Sequence, residues 1–118
     1  MVCHLADALR LGTGQMPARS TTNLLKRTLV KWIAFYAPIP WPPGIPTSME
    51  IDQFAGCGTK PAEFAIDVAQ VEALLDRVTA SSMRLNGVPH PFFGVLSTSE
   101  WLRWGYLHMD HHLRQFGA

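Results

Sequence analysis

The sequence lacks long apolar runs and is poor in charge and in cysteine. Charged residues make up 16% of its 118 residues, and apolar residues make up 47%. The longest apolar stretches, such as WIAFYAPIPW, are broken by proline, so none approaches the roughly 20 residues of a membrane span. The first residues, MVCHLADALR, lack the basic and apolar regions of a secretion signal. The composition therefore predicts one domain over residues 1–118, soluble and cytoplasmic, with no membrane partner.

Charge and cysteine content exclude two further classes of protein. The net charge is only +1, and the densest group of cations is small: Arg19, Lys26, Arg27 and Lys31. Nucleic-acid-binding proteins usually carry a denser basic stripe, so no nucleic-acid partner is expected and these residues are interpreted as a solvated helix face. With only two cysteines, the chain has no disulfide framework, and both are expected to be thiols.

Apolar periodicity predicts helices and no strand. The first helix covers about residues 2–11 and ends at the glycines of GTG. The second follows STTN and carries an apolar stripe spaced by 4, 3 and 4 residues: Leu25, Leu29, Trp32 and Tyr36. The third begins near Thr59 or Pro61 and carries a stripe predicted to be core: Phe64, Val68, Val71, Leu75 and Val78. The predicted fold class is all-α, an antiparallel helical bundle.

The last helix has the clearest start signal in the chain. Ser97 and Glu100 form the pattern S-x-x-E of a capping box, and Leu96 and Trp101 occupy the positions of a hydrophobic staple. The helix is predicted to run to about Phe116. Two of its aromatic residues, Trp101 and Trp104, are expected to line the bundle, and Tyr106 is expected to be core.

A long proline-rich loop joins the second and third helices. The stretch APIPWPPGIPTSMEIDQFAGCGTK contains five prolines and three glycines, which exclude a regular helix or a central strand. It also contains apolar residues: Ile39, Trp41, Ile45, Met49, Ile51 and Phe54. We expect an ordered loop that lies over one end of the bundle.

Three histidines in the stretch HMDHHLRQFGA divide into an inward pair and an edge residue. At about 100° per residue, His112 lies about 40° from His108 on the side of the apolar residues, and His111 lies about 60° away on the polar side. Histidines at i and i+4 can both reach one metal ion. Asp110 and Arg114 can pair on the outer surface.

A metal site requires a third ligand from another helix. His4 is the best candidate, because Ala8 and Leu11 continue its face at helical spacing. The alternatives are Cys3, His90, Cys57, Glu63 and Asp67. Core-edge histidines that only form hydrogen bonds are also compatible with the pattern.

The motifs HPFFG, LSTSEW and YLHMDHHLRQFG resemble a subgroup of the DinB-like (YfiT-like) superfamily whose function is uncharacterised. The stretches VCHLADALRLGTG, LLKRTLVKW, PWPPGIPT and GTKPAEFAID are also similar, so the resemblance covers essentially the whole chain. It implies a four-helix bundle with metal ligands at His4, His108 and His112, and a further helix ahead of His4. Such a helix is absent here, so the bundle is expected to be incomplete at its N-terminus, as in a fragment or a late-start gene model.

The resemblance also implies a chemistry. Three histidines suit zinc, nickel, iron or manganese, and an open position on the ion suits catalysis. Some members of the superfamily are thiol-dependent transferases or hydrolases, which implies a small-molecule thiol or another small substrate. The alternatives are a non-catalytic metal- or ligand-binding module, a dimerisation unit or an inactive fragment. A bundle that lacks one wall exposes apolar surface and favours a homodimer. No general base and no further cofactor is predicted.

Overall fold

The computed structural model describes residues 1–80 and 83–118, and it begins with a buried helix. Helix α1 spans Val2–Gly12, close to the predicted bounds, and nine of its eleven residues are buried. Its leucines and alanines are strong helix formers, and Thr13 closes its last turn through its backbone N–H. Because α1 is covered on nearly all sides, it forms the centre of the fold.

The second helical segment lies on the surface. It combines a π-helical turn, Lys26–Val30, with the short helix α2, Lys31–Tyr36. Phe35 is its one buried residue. The apolar stripe predicted from sequence faces solvent instead, because each of its members is 50–61% exposed: Leu25, Leu29, Trp32 and Tyr36. Periodicity identifies an apolar face, but not whether anything covers it.

Helix α3 starts later than the sequence suggests, at Phe64, and ends at Thr79. The buried carboxylate of Asp7 accepts hydrogen bonds from the backbone N–H and the hydroxyl of Thr59, at 2.7 Å each, and holds this residue outside the helix. Of the predicted core stripe, only Val78 is buried, whereas Phe64 is exposed. The rest of the stripe is half-buried because α1 covers only one side of α3.

A small β-hairpin precedes the last helix, so the prediction of no strand was wrong. Strand β1, Pro89–His90, pairs antiparallel with β2, Gly94–Val95. Gly94 has φ of 78°, a conformation that favours glycine. Strands of two residues are too short to show alternating polarity, so the sequence pattern contains no signal for them.

Helix α4 spans Thr98–Gln115 and begins at the predicted capping box. The Ser97 side chain accepts from the Glu100 N–H, and the Glu100 side chain accepts from the Ser97 N–H. Leu96 and Trp101 are both buried in the main apolar cluster, as a hydrophobic staple requires. Further members of the cluster come from the other elements: Ala8, Phe35, Leu85, Phe93 and Trp104.

Ser97→Ala is expected to lower the free energy of unfolding by about 1 kcal/mol, because the N–H of Glu100 loses its acceptor at the helix start. Urea denaturation measures this change. Ser99→Ala is the matched control, since Ser99 lies in the same turn and contacts the Ser97 hydroxyl at 3.0 Å but caps no backbone N–H, and it should change stability far less. Equal effects of the two substitutions would contradict the role of the cap.

The packing directions differ from a simple antiparallel bundle. His4 meets the end of α4, and a Cβ on Gly12 would lie 3.1 Å from the ring of Trp101 near its start, so α1 and α4 are antiparallel and closely packed. Cys3 neighbours Asp67, and Leu9 shares a groove with Val78, so α1 and α3 run in the same direction. The fold is mostly helical with one small sheet. Within residues 1–80 and 83–118, no helix combines the length and the apolar character needed to cross a bilayer.

The proline-rich loop is only partly packed against the domain. Ile51 is buried within the short 3₁₀ turn Met49–Ile51, and the indole N–H of Trp41 donates to the carbonyl of Ala34 at 2.8 Å. The other apolar residues of the loop are largely exposed: Ile39, Ile45, Met49 and Phe54. The loop therefore packs at two places, through Trp41 against α2 and through Ile51 against α1.

Candidate metal centre

His108 lies at the centre of the histidine cluster. It sits on the inner face of α4 and is 8% exposed. Its ring stacks on the indole of Trp104, one turn earlier, with centroids 4.6 Å apart and planes 13° from parallel. This stack fixes the plane of the imidazole, so its Nε2 atom has a defined direction.

His4 approaches from α1, 104 residues earlier in the chain. Its Nε2 atom lies 3.2 Å from Nε2 of His108. Its Nδ1–H donates to the backbone carbonyl of Ile51 at 2.9 Å, which places the lone pair of the neutral ring on Nε2. A backbone carbonyl behind a histidine is a common device for orienting a metal ligand.

His112 completes the cluster at the next turn of α4. Its Nε2 atom lies 3.2 Å from Nε2 of His108, and its Nδ1–H donates to Oε1 of Gln115 at 3.1 Å. The amide nitrogen of Gln115 contacts Nε2 of His111 at 3.2 Å. His111 therefore borders the cluster, through Gln115 and through the edge of the His112 ring, with centroids 5.2 Å apart.

The three Nε2 atoms converge in a way that suits a cation. His4, His108 and His112 each offer a ligand atom, and these atoms lie within 4.8 Å of one another. Two of the separations are 3.2 Å, close to the roughly 3.3 Å between two nitrogens bound tetrahedrally to one zinc ion. His4 and His112 present lone pairs to His108, whose Nε2 carries one proton at most, so hydrogen bonding satisfies only one contact at a time. A metal ion between the three rings satisfies all of them.

Burial favours the neutral form of two of the three rings, those of His108 and His112. Burial lowers the pKa of His108 well below its ordinary value of 6.5, and the nearby rings of His4 and His112 act in the same direction. Burial, followed by His4 and His111, lowers the pKa of His112 to about 4. A metal ion binds the neutral imidazole, so His108 and His112 would not have to release a proton on binding at neutral pH.

The other candidate ligands lie elsewhere. The thiol of Cys3 is buried beside Asp67, and its pKa is raised by burial first and by this carboxylate second. Asp67 accepts from the Ala62 N–H. Glu63 is exposed at the start of α3, and Cys57 is exposed in the loop. The structure therefore brings together His4, His108 and His112, and none of these alternatives joins them.

His90 has a structural position in the hairpin turn. Its Nδ1 atom accepts from the N–H groups of Phe92 and Phe93 at 3.1 and 3.2 Å. The ring of His90 contacts the indole of Trp104, and the same indole stacks on His108. Trp104 therefore lies between His90 and the cluster.

Acid is expected to destabilise the fold through His90. Burial lowers its pKa to about 3, so below pH 6.5 the unfolded chain binds a proton that the folded chain does not. Its contribution to stability is complete above pH 6.5 and falls by about 2 kcal/mol by pH 5. Urea denaturation at several pH values measures the slope.

His90→Asn retains an acceptor for the turn and removes the titration. The difference between the two proteins should therefore grow from pH 5 to pH 7. Parallel pH profiles for the chain and for His90→Asn would contradict the assignment.

On the outer face of α4, one predicted ion pair is present and one residue predicted to be buried is exposed. Asp110 pairs with Arg114 at 2.9 Å, as expected. Tyr106 was expected in the core, but it is 70% exposed and borders a groove between α3 and α4. Trp41 lies against His111 with ring centroids 6.0 Å apart, beside the cluster and outside it.

One buried carboxylate behind the cluster was missed from the sequence. Asp7, one turn after His4, is 0% exposed, and besides Thr59 it accepts from Arg10 and Gln53 at 2.7 and 2.9 Å. It ties α1 to the segment that carries the Ile51 carbonyl. An acid in the apolar pattern HLADALRL was the only sequence signal for it.

Comparisons with known proteins bear on the family alone. A search of curated proteins and a search of solved structures each found no match. A scan against protein families matches residues 2–118 to a family described as a protein of unknown function, DUF1569. Because the match covers nearly the whole chain, the protein belongs to the DUF1569 family.

Proposed function

We propose that this protein binds one divalent metal ion through His4, His108 and His112. The observation that carries the proposal is the convergence of three Nε2 atoms, two of which are oriented from behind by Ile51 and Gln115. Histidines that only fill space in the core need not point their Nε2 atoms at one another. The motifs that resemble the DinB-like superfamily support the same three ligands and a related bundle.

We further propose that the bound ion is catalytic, in a thiol transferase or a hydrolase. Three protein ligands leave a position for a water molecule or a small-molecule thiol, and zinc, nickel, iron and manganese all suit three imidazoles. The chain's own part is to orient the rings and to favour the neutral form of His108 and His112. A cytoplasmic location would suit the two cysteines, which are both free thiols.

A non-catalytic metal-binding module is the second candidate. The observation in its favour is that the nearby acids have other partners: Asp110 pairs with Arg114, and Asp52 accepts from the N–H groups of Phe54 and Ala55. Among the described residues, the cluster of possible ligands contains histidines only. If the site is catalytic instead, the general base has to be the metal-bound water or a part of the substrate.

Cobalt substitution separates the two candidates. Co²⁺ bound by three imidazoles and solvent should give visible absorption bands, and a small thiol should add a sulfur-to-cobalt band by taking the open position. Addition of thiol without any spectral change would show a closed site and would exclude the thiol-dependent enzyme. Absence of cobalt binding would overturn the metal proposal itself.

Gln115→Ala should weaken metal binding about tenfold, because His112 loses the acceptor that orients its ring. Gln115 lies exposed in the last turn of α4, so the melting temperature of the metal-free protein should hardly change. Competition with a chromophoric chelator measures the affinity. Arg114→Ala is the control in the same turn, and a comparable loss of affinity there would contradict the role of Gln115.

A further inference from the structure

We propose that copies of this chain join head to tail, with the apolar stripe of one copy seated in the α3/α4 groove of the next. The stripe consists of Leu25, Leu29, Trp32 and Tyr36. The groove is the cavity between α3 and α4, with α1 as its floor. The proposal concerns surfaces outside the histidine cluster and does not depend on metal binding.

The stripe is a convex apolar surface that is largely uncovered, although the guanidinium of Arg103 lies over the ring of Tyr36. Its four side chains are each at least half exposed and repeat at helical spacing over about 16 Å of helix. Exposed apolar residues on soluble proteins are usually scattered, so a continuous row of large ones indicates a docking surface. An amphipathic helix that lays such a row into a groove is a recurring mode of recognition.

The groove is a concave apolar surface of matching length. Its volume is about 420 Å³, with Ala8, Leu9 and Gly12 from α1 on its lining. Along α4 it extends from Trp101 to Leu113, or about 18 Å. A helix with a row of apolar side chains about 16 Å long therefore fits within it.

Gly105 indicates that the groove has an occupant. It lies in the middle of α4, where glycine costs roughly 1 kcal/mol relative to alanine. A Cβ at this position would meet no atom within 4 Å, so packing within one copy does not require glycine. The missing side chain deepens the groove at the point where an incoming helix would approach.

Charge and area favour a second copy as this occupant. Residues 21–48 contain no acid, and the helix that bears the stripe carries Lys26 and Arg27, besides Lys31, which pairs with Glu100 of its own copy. The exposed acids Glu72 and Asp76 lie on α3, about 60° and 100° around the helix from the groove residue Leu75. The four large side chains of the stripe are each 50–61% exposed and supply apolar area for such an interface.

The two surfaces face different directions, which makes the contact heterologous. The α2 segment packs on the face of α4 that carries Glu100 and Arg103, whereas the groove adjoins the face that carries Leu102 and Met109. These faces lie roughly 140° apart around α4. One partner therefore cannot satisfy both surfaces, and the contact extends to rings or chains rather than to a closed twofold dimer.

Complementation between two variants tests this arrangement. Trp32→Glu damages the stripe and leaves the groove intact, while Gly105→Leu fills the groove and leaves the stripe intact. Both positions have room for the change, and circular dichroism checks the fold. Leu25→Lys provides a second stripe variant. Phe54→Glu, at a residue that is 99% exposed in the loop, is the control.

Light scattering after size exclusion should show that the wild-type chain and Phe54→Glu grow beyond two copies with rising concentration. Each interface variant alone should remain monomeric, and an equimolar mixture of the two should form a 1:1 complex that grows no further. A monomeric wild-type chain, a mixture without complex, or one interface variant that still assembles alone would each overturn the proposal.

Discussion

Replacing His108 with alanine is expected to abolish binding of the divalent ion. The wild-type chain should bind about one ion per molecule, whereas His108→Ala should bind none above background. The reason is geometric, since Nε2 of His108 lies 3.2 Å from Nε2 of both His4 and His112 and is the atom common to both contacts. Metal analysis after dialysis, together with titration by Co²⁺, measures the loss.

His111→Ala is the matched control for this prediction. His111 lies on the same turn of α4 and contacts Gln115 and the edge of the His112 ring, but it is not one of the three converging histidines. Its substitution should leave one ion bound per chain, with at most a modest loss of affinity. Equal metal content in wild type, His108→Ala and His111→Ala would contradict the assignment of the ligands.

Asp7→Ala is expected to produce the largest loss of stability, about 3 kcal/mol. The carboxylate is fully buried and accepts four hydrogen bonds at 2.7–2.9 Å from Arg10, Gln53 and Thr59. Its removal leaves the guanidinium of Arg10 and the N–H of Thr59 without this acceptor. The midpoint of urea unfolding, with the slope held constant, measures the change.

The same substitution should also weaken metal binding. Asp7 anchors Gln53 and Thr59 to α1, and Ile51, which orients His4, lies two residues before Gln53. Glu72→Ala removes an exposed acid and should shift stability by less than about 0.5 kcal/mol. A loss below about 1 kcal/mol for Asp7→Ala would show that the network contributes little.

The parts of the fold that the sequence predicts well are those encoded by local chemistry. The capping box at Ser97 and Glu100 involves residues three positions apart, so its pattern is visible in one short stretch. The same holds for α1 and for the outward pair Asp110 and Arg114. Each of these features depends on residues a fixed few positions apart in one helix, so a short stretch of sequence is enough to predict it.

Long-range packing could not be predicted in the same way. Periodicity showed that Leu25, Leu29, Trp32 and Tyr36 share a face, yet which element covers that face depends on the path of the whole chain. Likewise the pair His108 and His112 follows from i, i+4 spacing, whereas the approach of His4 depends on how α1 crosses α4. The structure brings these residues together, and their role as metal ligands stays a prediction.

The start of α3 shows how one distant contact overrides a local signal. Pro61 is a favourable first residue for a helix, and it predicted a start at least two residues too early. Asp7 binds Thr59 through both its backbone and its hydroxyl, which keeps the following residues extended until Glu63. Nothing near Thr59 in the sequence reveals that acceptor.

The acceptor behind His4 has a consequence for how this site can vary. It is the carbonyl oxygen of Ile51, a group that every amino acid carries, so exchange of Ile51 for another apolar residue preserves it. The orientation of His4 is therefore encoded in the route of the main chain and not in the identity of residue 51. Related chains can differ at this position and still hold the imidazole in the same tautomer.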